Sequence, residues 1–187
     1  HGSGGQTGTT VTISGPTTRK RGQSGTYTIS ATHADANSNS KMGTIIAAGD
    51  SGTTLSASAP LQYLSGSREL IHNSTLGSLA TSSSDTASYT FSYTMPSNAA
   101  FGSTHSIYGV ARLNTSAGNR WDYASPITIT TVTPAPTINS ATTKTGKVGV
   151  ALSYQIGVTS ANDIQAPTSY GASNRPPGIS VNTSTGL

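Results

Sequence analysis

The sequence contains no cysteine among its 187 residues, and only 9% of its residues are charged. The absence of cysteine excludes structural disulfides, thiolate zinc sites and thiol catalysis within this chain. Charged residues make up roughly a quarter of an average globular protein, so ion pairs contribute little here. Packing and hydrogen bonds must therefore hold the fold together.

Residues that favour helices are also scarce, since there are two Met and few Glu, Lys and Leu. Ser and Thr abound, and Thr, Val, Ile and Tyr dominate the apolar segments, which is the composition of half-buried strands. No apolar run approaches the roughly 20 residues that span a bilayer, and no charged segment precedes an apolar one as in a secretory signal. An all-helical protein and a transmembrane segment are excluded.

The net charge is +4, from ten basic and six acidic residues. The basic residues are widely spaced except at Arg19-Lys20-Arg21. Proteins that bind nucleic acids usually cluster basic residues among aromatic ones on one face, and this pattern is missing. We therefore expect no nucleic-acid partner and interpret the three-residue cluster as a solvated turn.

Segments in which apolar and polar residues alternate recur through the first 132 residues, as half-buried strands require. In the clearest of them, residues 87–95, Tyr89, Phe91 and Tyr93 fall on one face. We expect this stripe to pack across the sandwich against the inner-face residues Ile13 and Ile29. The other predicted strands are 10–14, 26–30, 42–48, 54–57, 61–64, 69–72, 105–112 and 127–132. Short strands at this spacing predict an all-β, antiparallel β-sandwich.

A proline-rich linker at residues 133–136 separates two predicted modules, because proline restricts its own backbone and that of its predecessor. The predicted organisation is an N-terminal segment (1–8), a sandwich (9–132), the linker, and a second β module (137–187). Strands are expected in the second module at 136–140, 150–158 and 176–181. About fifty residues are too few for a sandwich to bury both faces without disulfides. We expect this module to be partial and the native polypeptide to continue past Leu187.

The second module resembles a bacterial Ig domain family that occurs in tandem in large surface and secreted proteins. The resemblance covers residues 136–187 and rests on the segments 147–156 (KVGVALSYQI), 167–172 (PTSYGA) and 176–187 (PPGISVNTSTGL). The family continues with further strands after the position of Leu187. The resemblance therefore implies a truncated Ig-like module.

Residues 9–132 resemble the reelin-like, choice-of-anchor modules of bacterial envelope proteins. The segments that carry the resemblance are 11–16 (VTISGP), 25–29 (GTYTI), 69–73 (ELIHN), 89–96 (YTFSYTMP) and 107–109 (IYG). The resemblance implies an Ig-like sandwich in the cell envelope. In many such proteins a Cys-x-x-Cys-His segment precedes the first strand, and the start of this chain, His1-Gly2-Ser3-Gly4-Gly5, suits its end.

His1 therefore has three interpretations. It is the axial ligand of a c-type haem whose two cysteines lie upstream, part of a copper site with His72 or His105 as a second imidazole, or a disordered first residue. His72 and His105 lie in strand-like segments, where a hydrogen-bonded structural histidine is more common than a ligand. Neither is assigned a role.

The only Trp of the chain lies in the cluster 119–123, predicted as a loop before the last strand. Arg120, Trp121 and Tyr123 form a candidate binding patch for a sugar or a partner protein, since such residues dominate binding hot spots. The alternative, which we favour, is that Trp121 plugs the end of the sandwich.

No catalytic constellation is visible in the sequence. Gly49-Asp50-Ser51-Gly52 is similar to the segment around a serine nucleophile, but a triad needs a base and an acid placed in space, so we interpret it as a turn. The six carboxylates are scattered, which disfavours a glycosidase pair or a calcium loop. A non-enzymatic protein is expected.

These observations favour a structural or adhesive module of an exported bacterial protein at the cell surface or outside the cell. Its expected partners are other copies of itself, cell-surface proteins and carbohydrate, because weakly charged sandwiches with exposed strand edges suit head-to-tail packing. The competing hypothesis is a redox protein that carries a c-type haem through His1.

Overall fold

The computed structural model describes residues 5–37, 40–66, 68–73, 86–116, 118–133, 136–159 and 167–187. The chain divides into two compact units, His1–Val132 and Thr133–Leu187. No helix occurs in the described ranges, and hence none that is long and apolar enough to cross a membrane. The predicted all-β fold is confirmed.

The first unit is built from short strands. They are β1 (Thr10–Ser14), β2 (Thr18–Arg19), β3 (Ser24–Thr32), β4 (Lys41–Ala48), β5 (Thr54–Ser56), β6 (Leu61–Ser65), β7 (Glu69–His72), β8 (Thr86–Thr94), β9 (Thr104–Thr115), β10 (Gly118–Tyr123) and β11 (Ile127–Thr131). Nine of these were predicted, with ends that differ by up to three residues. The prediction missed β2, which has only two residues, and β10, whose sequence GNRWDY lacks regular alternation.

Two sheets form the sandwich. The first has four antiparallel strands in the order β1-β3-β8-β5, and the second has seven, in the order β2-β11-β9-β4-β7-β6 with β10 also paired to β9. All neighbours in the second sheet are antiparallel except β2 and β11. Along one edge of β9, β11 pairs near its start and β10 near its end.

The aromatic stripe of β8 lies in the core, but its neighbours differ from the prediction. Phe91 is opposite Tyr27 and Tyr89 is opposite Ile29 on the adjacent strand β3, while Ile13 is opposite Ile29 on β1. The predicted packing of the stripe against Ile13 and Ile29 across the sandwich is therefore wrong, because these residues lie side by side in one sheet. Alternation fixes the face of a residue but not which strand lies beside it.

The two sheets meet closely at two points. The Tyr89 hydroxyl donates a hydrogen bond of 2.7 Å to the carbonyl of Met42 in β4. At Gly109 in β9, an added Cβ would stand 2.7 Å from Ile29 Cδ1 and 2.9 Å from Ile13 Cδ1. A side chain at position 109 would therefore have to push the facing isoleucines away.

Hydroxyl groups cover the outward side of the four-stranded sheet. Side chains pair across β3 and β8 at Ser24 and Thr94 (2.8 Å), Ser30 and Ser88 (3.1 Å), and Thr32 and Thr86 (2.8 Å). Such cross-strand pairs contribute modestly to sheet stability. The abundance of Ser and Thr in the composition thus provides a polar surface almost without charge.

The basic cluster is only partly a solvated turn. Arg19 belongs to β2, and the Arg21 guanidinium lies 3.7 Å from the centre of the Phe101 ring. Arg21 Nε also donates a 2.6 Å hydrogen bond to the carbonyl of Ala99. Two of the three basic residues therefore take part in strand pairing or side-chain packing within the first unit and do not form a charged patch.

The buried tyrosines give a prediction about alkaline pH. Burial raises the pKa values of Tyr27, Tyr89 and Tyr93, and for Tyr93 the charge of Asp50 adds to the effect. Above the ordinary tyrosine pKa of about 10, the unfolded chain loses protons that the folded chain keeps, so the free energy of unfolding should fall as pH rises.

Phenolate absorbance checks this prediction. The contribution of Tyr93, taken as the difference between the native chain and a Tyr93→Phe variant, should appear only as the protein unfolds. Ionisation of Tyr93 near the pKa of a free tyrosine in the folded protein would contradict its burial.

In the second unit, β pairing within the described residues is limited to one bridge between Ile138 and Val158. The strands predicted at 150–158 and 176–181 are not formed there. Val150, Leu152 and Ile179 are exposed, since no opposing layer among the described residues covers them. The strands predicted at these two places were therefore wrong, apart from the single bridge.

Candidate functional site

A groove of about 550 Å³ lies on the outward face of the seven-stranded sheet. Strands β4, β7, β9 and β10 supply its walls and floor. The lining residues are Gly43, Thr44, Ile45, Ile71, His72, Val110, Ala111, Arg112, Trp121 and Tyr123. Its lining is mainly apolar.

The alternation of each strand positions the groove residues. In β4, Met42, Thr44 and Ile46 are buried between the sheets, so Gly43 and Ile45 face outward. The register of β4 with β9 sets Gly43 opposite Arg112 and Ile45 opposite Val110. These four outward positions form the floor and one end of the groove.

The aromatic wall comes from β10. Trp121 is opposite Arg112, and Tyr123 is opposite Val110, so both rings stand on the outward face. Their centroids are 5.4 Å apart with the ring planes at 87°, an edge-to-face arrangement that aromatic pairs prefer. Trp121 is half-buried, whereas Tyr123 is 56% exposed. A ligand in the groove therefore meets open aromatic surface.

The structure changes the predicted binding patch in two ways. Trp121 lies in a strand and on the outer face of a sheet, so the predicted loop and the favoured plug at the end of the sandwich are both wrong. Arg120 is opposite Leu113, which is fully buried between the sheets, and so it faces away from Trp121 and Tyr123. Arg112 stands beside the two rings instead.

Arg112 is the charged groove residue that sequence reasoning missed, and His72 was considered there only as a second copper ligand. Arg112 is exposed and has no hydrogen bond or ion pair within the described residues. His72 Nδ1 lies 3.1 Å from the Thr44 backbone nitrogen and 3.2 Å from the Thr44 carbonyl oxygen, so it accepts from the first or donates to the second according to the tautomer of the ring. The pairing of β9 with β10 sets Arg112 opposite Trp121 and would have identified it. This pairing could not be predicted because residues 119–123 were interpreted as a loop.

Gly43 makes room for the imidazole. A Cβ added at Gly43 would stand 2.9 Å from Cε1 and 3.1 Å from Nε2 of His72. The ring therefore lies against Gly43, which is opposite Arg112 in the strand pairing. A side chain at position 43 would displace the imidazole.

A second cluster links Asp50, His105 and Ser103. His105 Nδ1 lies 3.1 Å from Asp50 Oδ2, and His105 Nε2 lies 3.0 Å from Ser103 Oγ. This sequence of contacts matches the order of a Ser-His-Asp triad. Ser51 takes no part in the cluster, and residues 49–52 form the predicted turn.

Two features argue against catalysis at this cluster. Ser103 Oγ donates to the carbonyl of Ala100 at 2.6 Å. The backbone N–H groups of Ser103 and Gly102 already donate to Ala100 and Thr131, so neither can stabilise an oxyanion. The hydrogen bonds of the cluster instead connect the turn before β5, the start of β9 and the end of β11 to one another.

No metal site is formed by the described ranges, where no group of three His, Asp or Glu side chains is close enough to hold an ion. His72 and His105 are hydrogen-bonded to Thr44 and Asp50, as expected for structural histidines. His1 lies outside the described residues, so its roles as haem or copper ligand stay predictions. The chain itself has no cysteine and does not supply the thioether links of a c-type haem.

No family model and no curated protein matches the chain. Among solved structures, it is similar to the major pilin subunit BcpA of Bacillus cereus (9% identity, TM-score 0.46), covering 68% of this chain and 42% of that one. AggA, the major subunit of aggregative adherence fimbriae type I from Escherichia coli, is 11% identical with a TM-score of 0.39, covering 66% and 95%. AvmM, which catalyses macrocyclization in alchivemycin A biosynthesis, is 8% identical with a TM-score of 0.41, covering 69% and 91%. The scores are too low to indicate a shared function.

Proposed function

We propose that this chain is a structural and adhesive module of an exported bacterial protein, at the cell surface or outside the cell, and that it assembles with other copies of itself. The module comprises the sandwich of residues 9–132, the linker 133–136 and the Ig-like residues 137–187. The sequence resemblance to bacterial envelope modules supports the location.

The free edge of β1 carries the proposal. β1 pairs with β3 on one side, and no strand of the described residues pairs with its other side. Its sequence TVTIS has no charge and no proline. Soluble proteins normally protect such edges with charges, proline or bulges, because an open edge accepts another strand. The backbone groups of β1 are therefore suited to pair with a second copy.

The other open strand sides are less suited to strand pairing. β10 pairs only with β9, but it carries Arg120 and Asp122, and its Trp121 carbonyl already accepts a hydrogen bond from Gln6 N–H. β5 covers part of the open side of β8, at residues 92–94. β2 has two residues and β5 has three. The pairing of β6 with β7 is irregular between Tyr63 and Ser65. Bulges twist an edge away from a partner. We therefore assign the assembly contact to β1.

A charge placed on this edge tests the assignment. Thr12 is exposed in the middle of β1, so a Thr12→Lys variant should fold normally and require a higher protein concentration to assemble, because two lysines would meet at the joint. Static light scattering over a concentration series measures the shift.

Thr90→Lys is the matched control. Thr90 is exposed in the same sheet, but it lies in β8, two strands away from β1. Only Thr12→Lys should weaken assembly. If Thr90→Lys weakens it equally, copies meet elsewhere on this sheet; if neither does, β1 is not the contact.

A further inference from the structure

The groove on the seven-stranded sheet contains an arginine and no carboxylate. Arg112 has only hydrogen-bond donors, whereas the Tyr123 hydroxyl and the His72 imidazole can each donate or accept. None of the lining residues is acidic. A matching ligand must therefore offer an acceptor to Arg112.

The charge of Arg112 is not neutralised by Asp122, the acidic residue next to Trp121 on the paired strand β10. Asp122 is opposite Ala111, on the inward side of β10, and its Oδ1 accepts from the Tyr123 backbone N–H at 2.8 Å. The guanidinium of Arg112 has no ion-pair partner in the described parts of the chain. An anionic group on the ligand would supply the missing charge, and a carboxylate fits the planar guanidinium in a bidentate manner.

The aromatic wall determines the shape and polarity that the rest of the ligand must have. Trp121 and Tyr123 present half-exposed and exposed rings next to the apolar floor of Val110 and Ile45. Such surfaces bind flat ligands that have an apolar face and polar edges. The volume of about 550 Å³ accommodates a short stretch of such units, and the groove is open along the sheet.

A pyranose that carries a carboxylate combines these properties. Its C–H groups form an apolar face, its hydroxyl and ring oxygens accept hydrogen bonds, and its carboxylate is anionic. A peptide fits less well, because the backbone groups of β4, β9 and β10 at the groove are engaged in sheet pairing, and no strand can be added to this face.

We propose that the groove binds an acidic polysaccharide of uronic acid units. The sugar ring stacks on Trp121 and Tyr123, the carboxylate pairs with Arg112, and the His72 imidazole forms a hydrogen bond with a sugar hydroxyl. This inference deepens the adhesive part of the proposed function and rests on it, while self-assembly through β1 is tested separately.

The test uses tetragalacturonate as the acidic probe and its methyl ester as the uncharged one. Trp121 is the only tryptophan of the chain, so its fluorescence reports directly on the groove, and calorimetry gives the affinity. The acid should bind and change the Trp121 emission, with weaker binding at high salt. The ester should bind at least about tenfold more weakly, as expected for loss of a charge-assisted contact.

Variants distinguish the contact between the carboxylate and Arg112 from the stacking of the sugar on the aromatic rings. Arg112→Gln should reduce affinity for the acid by about tenfold or more while leaving the affinity for the ester unchanged. Tyr123→Ser should weaken both, because it removes stacking surface. Arg68→Gln, which removes an exposed arginine outside the groove lining, should change neither.

Three outcomes would overturn the inference. The first is no binding of tetragalacturonate by the folded chain, which leaves assembly through β1 untouched. The second is binding that Arg68→Gln weakens as much as Arg112→Gln does. The third is equal or tighter binding of a tetraglutamate peptide in the groove, which would identify an acidic peptide as the ligand class.

Discussion

Replacing Phe91 by Ala is expected to lower the free energy of unfolding by about 3–5 kcal/mol, because it removes a large side chain from a close-packed core. Phe91 is 3% exposed, and its ring stacks on Tyr27 with centroids 5.8 Å apart and planes at 27°. The cavity would open between the central strands β3 and β8, where the surrounding sheet has little freedom to collapse.

Urea unfolding followed by circular dichroism measures this loss. Thr90→Ala is the control, since Thr90 is the neighbouring residue and faces outward, and it should cost less than about 1 kcal/mol. A loss below about 1 kcal/mol for Phe91→Ala would mean that the stripe of β8 does not face the core.

Ile46→Ala should lower the free energy of unfolding of the first unit by about 2–5 kcal/mol, because it removes a buried side chain from the core side of the seven-stranded sheet. Ile46 is fully buried in β4, which lies between β9 and β7. Ile45 is the adjacent residue on the opposite face and is 40% exposed. Ile45→Ala should therefore have a small effect on stability.

The ratio of the two effects, again from urea unfolding, tests the register of β4. A shift by one residue would exchange the two faces of the strand and make Ile45→Ala the more damaging change. Comparable losses for both variants would contradict the alternation on which the position of the groove depends.

Most of the sandwich was predictable because alternation is a local property. The stripe of Tyr89, Phe91 and Tyr93 is readable within nine residues, and β8 has its predicted face. The partner strands were not readable in the same way. Ile13 and Ile29 had the correct face but the wrong neighbours, since strand order depends on contacts between distant parts of the chain.

The candidate site was predictable only in part for a related reason. Trp121 and Tyr123 were predicted as binding residues because aromatic residues are few in this sequence, and both line the groove. β10 has no clear pattern of its own and forms a strand by pairing with β9, so Arg120 was chosen over Arg112. The hydrogen bond between Asp50 and His105 joins residues 55 positions apart, so no local pattern predicts it.

Amide hydrogen exchange of the native chain, compared between dilute and concentrated solutions, tests assembly through β1 most directly. The account predicts that amides of β1 that do not bond to β3 exchange more slowly in the concentrated sample, because a second copy covers them, while the central strand β8 is unaffected. Equal exchange of β1 at both concentrations, or slowing confined to other strands, would contradict it.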